Sequence, residues 1–186
     1  MKRTLKWILI AIALAIAAFL AMRSYRALSG PPLQPWHTFV PTELRADELD
    51  RADWSRYLAQ EAQIFESVRK EVTQKLAPDE RAPINRYFEQ SPVYAERFAQ
   101  DWNRSYVLEP TGTPVGVVVL LHGLTDSPYS LRHVAKLYRD HGYVAIGLRL
   151  PAHGTVPAGL TDVRWEDWMA ATRLAVREAR RRVPAP

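Results

Sequence analysis

Val115-Gly116-Val117-Val118-Val119-Leu120-Leu121, followed by His122-Gly123-Leu124 and then Thr125-Asp126-Ser127-Pro128, is where the fold is written. The first seven residues include four valines and show no alternation of apolar and polar positions. This predicts a strand buried on both faces of a parallel sheet, with neighbours on both sides. After the His122-Gly123-Leu124 turn, Ser127 fits an N-cap and Pro128 the first position of a helix. That helix carries Leu131, Val134, Ala135 and Tyr138 inward and stops at Gly142. Tyr143–Leu150 is a second strand, so the segment reads as strand, crossover helix and parallel strand, the repeating unit of an α/β domain.

Downstream, the loop 151–160 leads to a third helix with Trp165, Trp168, Met169, Thr172, Ala175, Val176 and Ala179 on one face. That spacing suits a helix covering a sheet. Arg180, Arg181 and Arg182 complement its C-terminal dipole and Pro184 marks its stop, which makes the run a solvated helix end rather than a nucleic-acid patch. A crossover helix returns the chain to another parallel strand, and none follows. The expectation is a catalytic layer interrupted partway, with the uncharged 115–121 edge left unpaired and prone to aggregate.

Upstream, Trp54, Tyr57, Leu58, Phe65, Val68, Val72 and Leu76 recur at helical spacing, with Asp53 as N-cap and Pro78 just past the end. Val93–Trp102 is a second, weaker helical stretch. Ala27–Pro41, with four prolines, reads as an extended tether. Trp7–Met22 carries no charge; it is shorter than the roughly 20 residues that span a bilayer unaided, so Lys6 and Arg23 must extend to the interface with Trp7 and Tyr25 as anchors. A cleaved signal peptide is the competing reading, since Ala15-Ile16-Ala17 has a small-x-small form. Arg23 and Arg26 following directly favour a retained anchor. The positive flank places the N-terminus in the cytoplasm and the body on the periplasmic or extracellular side.

The predicted organisation is thus a basic N-terminus (1–6), a transmembrane helix or signal anchor (7–22), a Pro-rich tether (23–42), a helical prefix (43–102) and an α/β segment (103–186). The net charge of +5 does not signal a nucleic-acid partner. Every acidic residue lies at Glu43 or later, and beyond the first 26 residues 20 basic side chains balance 20 acidic ones. With no cysteine there is no disulfide or thiolate chemistry. His37, His122, His133, His141 and His153 form no H-x-x-x-H pair, so no metal is expected.

VVVLLHGLTDSPYSLRHVA, GYVAIGLRLPAHGTVPAGL and RWEDWMAA together resemble the N-terminal half of an α/β-hydrolase domain of the serine aminopeptidase and monoacylglycerol lipase type, over about Asn103 to Val183. The fold class this implies is a partial α/β-hydrolase, a parallel sheet with crossover helices, behind a transmembrane helix and a helical segment. The resemblance makes Leu124 the backbone N–H donor of the oxyanion hole and makes His122 and Gly123 structural members of that loop. His153 corresponds to a non-catalytic Gly-His-Gly loop in which Ala152 replaces the usual glycine and restricts the turn. Thr125, Asp126 and Ser127 are turn and cap residues at the pocket edge. No cofactor is implied, and the substrates of complete relatives would be esters, lysolipids or peptides.

The catalytic serine of this family sits in a G-x-S-x-G elbow after the next strand, with the acid and histidine later still. Here Gly112 and Gly116 have the right separation but hold Pro114 between them, and none of the eight serines qualifies. No catalytic residue is therefore assigned, substrate-binding residues are unassigned, and the chain alone is expected to hydrolyse nothing. Alternatives are a membrane-anchored binding or scaffold module and a split enzyme completed by a separately encoded C-terminal half.

Overall fold

The computed structural model describes residues 2–30 and 32–183 and divides into two units, residues 1–33 and 34–186. In the first unit, helix α1 runs Lys2–Leu28, beyond the uncharged core of 7–22 at both ends. The most apolar 18-residue window within its segment Arg3–Leu28 has a mean hydropathy of 2.4, and none of that window is buried. Twenty-six residues at about 1.5 Å each make roughly 39 Å, enough to cross a bilayer, and a signal sequence has the same character.

The second unit is a mixed α/β fold. Its short helices α2 (Pro35–Thr38) and α3 (Ala46–Arg51) precede the long helix α4 (Trp54–Glu71). Strand β1 (Tyr106–Leu108), strand β2 (Gly116–Leu121), helix α5 (Arg132–Asp140), strand β3 (Tyr143–Leu148) and helix α6 (Trp165–Arg182) follow. Beta3 is central: β2 lies parallel to it, with Val118 opposite Ala145, and β1 lies antiparallel on its other side, with Tyr106 opposite Gly147. The close register places the Tyr106 ring over Gly147, where a Cβ would approach the ring to 2.2 Å.

Beta3 is buried from Val144 to Leu148, but β2 is only half-buried and pairs with β3 alone among the described residues. The other edge of β2 is unpaired among the described residues, as expected of the 115–121 edge, and the strand is half-buried rather than buried on both faces. Alpha5 also departs from expectation. A 3-10 turn, Pro128–Leu131, precedes it, Ala135 is its buried residue, and Val134 and Tyr138 are 40% and 39% exposed. Gly142, at φ +87°, ends it as expected.

Alpha6 is rotated relative to the sequence reading. It buries Ala170, Ala171, Leu174, Ala175 and Ala179 against β2, β3 and α3, while Trp165 and Met169 are 65% and 49% exposed. Small alanines let the helix approach the sheet, and two carboxylates on the same face find partners. Asp167 accepts from the backbone N–H groups of Ala46 and Arg164 at 2.8 and 3.0 Å, joining the starts of α3 and α6. Glu178 accepts from Arg181 and Arg182. Pro184 lies outside the described residues.

Alpha4 forms as expected, with Asp53 accepting from the Arg56 N–H at 2.8 Å and Trp54, Tyr57, Ile64 and Val68 buried. A 3-10 turn, Thr73–Lys75, carries buried Val72 and Leu76 past its end. The stretch 93–102 is not a helix; one 3-10 turn, Ala95–Arg97, interrupts irregular chain. The Pro-rich segment is less extended than its composition suggests. Residues to Leu28 continue α1, and Trp36 and Phe39 pack on Val68, Val72 and Val156, with Trp36 stacked on Tyr87. Leu44, Leu49, Trp54 and Tyr57 share one core with Val144, Ile146, Leu148 and Leu174, so the helical prefix and the sheet bury each other.

Candidate functional site

Two loops leave the C-terminal ends of the parallel strands, the place where open α/β sheets bind ligands. One is 122–127 after β2 and the other 149–157 after β3. His122 joins them. The Leu150 N–H donates to His122 Nε2 at 3.1 Å, so the proton is on Nδ1, which donates to the Gly123 carbonyl at 2.9 Å. Burial pushes the imidazole pKa below its ordinary value, and both nitrogens are engaged in the neutral form. His122 is therefore a tie between the strand ends, with no lone pair left for a reacting hydroxyl.

Gly123 and Leu124 lie in the turn that His122 anchors. The Asp126 N–H bonds back to the Gly123 carbonyl at 3.3 Å, and Thr125 takes φ +63°, a left-handed conformation that a β-branched residue adopts at a cost. The Leu124 N–H has no acceptor among the described residues, and the residue is 68% exposed. Ser127 holds the N-cap position with Pro128 after it, as expected, but its side chain makes no cap bond; Asp126 instead accepts from the Ser127 N–H at 2.7 Å and from the Ser130 hydroxyl at 2.6 Å. The Ser130 hydroxyl, helped by the Ser127 N–H, holds the Asp126 pKa below the ordinary carboxylate value against the opposing effect of burial. The Ser127 hydroxyl instead donates to Asn103 Oδ1 at 2.9 Å.

Thr125, Asp126, Ser127, Asn103, His153 and Arg86 contribute to a cleft of about 340 Å³. His153 is buried against His122 and Trp168, with ring centres 4.9 and 5.4 Å away. Its Nδ1 meets the Pro151 carbonyl at 2.9 Å, Nε2 has no partner among the described residues, and burial holds its pKa down. Ala152 takes φ +68°, the region glycine enters freely, so its backbone carries strain. Gly154, at φ +73°, is required: a Cβ there would lie 2.8 Å from the Asn103 carbonyl oxygen.

The 149–153 turn is braced by charges that sequence reasoning did not find. Arg149, wholly buried, donates to both oxygens of Glu43 at 2.9 Å, to Glu61 at 3.2 Å and to the His153 carbonyl at 3.0 Å. Glu43 also accepts from the Ala152 N–H at 2.8 Å, and Glu61 from the Ser105 hydroxyl at 2.7 Å. The Tyr57 hydroxyl donates to the Arg149 carbonyl. Burial opposes the guanidinium charge, but Glu43, Tyr57 and Glu61 outweigh it and raise its pKa. Burial raises that of the Tyr57 phenol. The available signal was Glu61 itself, a carboxylate on the apolar face of α4, four residues after Tyr57.

Among the described residues no hydroxyl is hydrogen-bonded to a histidine nitrogen, the pairing that activates a serine or threonine. The arrangement offers a free backbone donor at a strand end and a polar cleft next to it. No protein-family model matches the chain. It is similar to a thermostable monoacylglycerol lipase of Bacillus sp. (strain H-257), with 40% identity over 58 residues, 31% of this chain and 23% of the lipase. The matched stretch thus spans less than a quarter of that relative's length. At this level the likeness supports the α/β-hydrolase superfamily and a lipase- or esterase-like character.

Proposed function

We propose that residues 103–183 form the oxyanion-side portion of a serine hydrolase domain acting on esters or lysolipids, held at a membrane by α1. The observation that carries this reading is the unpaired Leu124 N–H, in a strained turn fixed by His122 to the end of β3. A backbone donor held in this way stabilises the charge that develops on a carbonyl oxygen during acyl transfer, because it does not reorganise as the charge grows.

In such a domain the attacking serine, its acid and its histidine come from a further segment, and the N–H after that serine supplies the second donor. The 186 residues therefore bind and polarise but do not attack. The body lies on the periplasmic or extracellular side, its N-terminus in the cytoplasm. A non-catalytic, membrane-anchored scaffold is the alternative.

The test is co-expression with a segment bearing G-x-S-x-G on a short apolar strand, followed by replacement of the Leu124 amide with an ester, which removes the N–H and keeps the turn. A drop of about 10²–10³ in kcat with little change in KM supports the assignment. An unchanged kcat removes Leu124 from the oxyanion hole, and failure of every such segment to restore hydrolysis favours the scaffold.

A further inference from the structure

Beside the cleft, sharing Arg86, Asn103 and Tyr129 with it, lies a wider groove of about 700 Å³. Val93, Phe98 and Trp102 line it, and Val93 and Phe98 are 52% and 58% exposed. Large apolar side chains gathered around one groove mark a surface meant to be covered.

Cations border this apolar surface without carboxylate partners. Arg132 lies over the Tyr129 ring, 3.7 Å from its centre, and donates one N–H to the Tyr129 carbonyl. Lys136, one helical turn further along α5, sits 5.0 Å from the centre of the Trp102 ring. Arg86 reaches the Gly154 carbonyl, at 3.5 Å, and the face of Tyr87. Among the described residues none of the three forms an ion pair, whereas Asp101, the carboxylate in the lining, pairs with Arg104 at 3.5 Å and accepts from Asn103 at Oδ1, its buried Oδ2 having no hydrogen-bond donor among the described residues. An apolar trough with unneutralised cations at its edge matches a ligand that is itself an alkyl chain ending in an anion.

We propose that this groove binds a long-chain fatty-acid anion, its alkyl chain over Val93, Phe98 and Trp102 and its carboxylate at Arg132 and Lys136. The choice of carboxylate rests on the hydrolase reading, since ester cleavage in the adjoining cleft releases that group. The occupancy itself needs no turnover and is measured separately. The Arg132 guanidinium, with one N–H already taken by Tyr129, keeps further donors for a two-oxygen acceptor.

The experiment titrates decanoate into the full chain in phospholipid nanodiscs carrying 5-fluorotryptophan, with the Trp102 resonance assigned by Trp102→Phe and buried Trp54 as the internal control. The expected result is a saturable shift of Trp102 with Trp54 unmoved. Arg132→Gln/Lys136→Gln should weaken binding at least tenfold, and Phe98→Ser should weaken it without affecting the fold. Hexanoate, four methylenes shorter, should bind tenfold or more weakly, because each buried methylene contributes a factor of up to about four. Equal shifts with decanol would overturn the role of the cations, and tighter binding of decyl phosphate would overturn the carboxylate assignment. A Trp102 signal that stays still, or moves only together with Trp54, would overturn the site. Decanoate binding by a chain that no partner segment activates would leave this inference standing and count against the hydrolase reading alone.

Discussion

Replacing Arg149 with methionine isolates the brace under the cleft. The substitution keeps much of the side-chain volume but removes four hydrogen bonds, two to Glu43, one to Glu61 and one to the His153 carbonyl. Glu43 and Glu61 then remain as carboxylates only 7% and 3% exposed, opposite no cation. Breaking a buried pair in this way costs about 3–5 kcal/mol, against a total stability of about 5–15 kcal/mol for a domain. For a unit of this size that corresponds to a drop in Tm of roughly 6–20 °C.

The same reasoning gives an internal control. Arg149→Met combined with Glu43→Gln and Glu61→Gln removes the stranded charges, and neutralised triads of this kind are often no worse than the original. The triple variant should regain at least about 2 kcal/mol over the single one. Urea unfolding of the full chain, followed by tryptophan fluorescence, measures both. A single variant within about 1 kcal/mol of the parent, or a triple variant no better than the single, would refute the claim that the prefix and the sheet are joined by a network of buried charges centred on Arg149.

Other outcomes follow from individual backbone and titration features. Gly154→Ala, which combines φ +73° with a 2.8 Å approach to the Asn103 carbonyl, should cost about 2–3 kcal/mol. Ala152→Gly should be near neutral in the same urea assay, because relief of left-handed strain is offset by a lost methyl contact and greater chain entropy. His122 and His153 are held neutral below their ordinary pKa, so the unfolded chain takes up protons first as pH falls. Stability should be complete above about pH 7 and decline below the unfolded value near 6.5, by at most about 1.4 kcal/mol per pH unit for each histidine. His153→Phe should flatten that decline. Leu121→Lys, at a position 46% exposed at the end of β2, should reduce light scattering on concentration with little loss of stability, since a charge blunts the unpaired edge.

Much of the fold was legible because local chemistry and tertiary structure agree. The β-branched run of β2, the glycine stop after α5 and the Asp53 cap of α4 each act within a few residues of themselves. Alpha6 was misread because two apolar stripes share that helix. Periodicity favoured the bulky one with Trp165 and Met169, while the sheet accepted the alanines, whose small side chains permit a closer approach. Beta1 escaped notice because three residues are too few to show a pattern and its strand character depends on Tyr106 lying over Gly147.

At the site, the turn residues His122, Gly123 and Leu124 could be located from their order after a strand. The brace could not, because Glu43, Glu61 and Arg149 are brought together across 106 and 88 residues of chain. A carboxylate on the apolar face of α4 announces that a cation is needed. It does not say which one.

The most direct measurement is intact-mass analysis of the purified full chain after incubation with a fluorophosphonate, alone and together with a complementing segment. The account predicts an unmodified mass for the 186-residue chain in both samples, and a single adduct on the serine of the complementing segment. A stoichiometric adduct on any of this chain's own serines would contradict it.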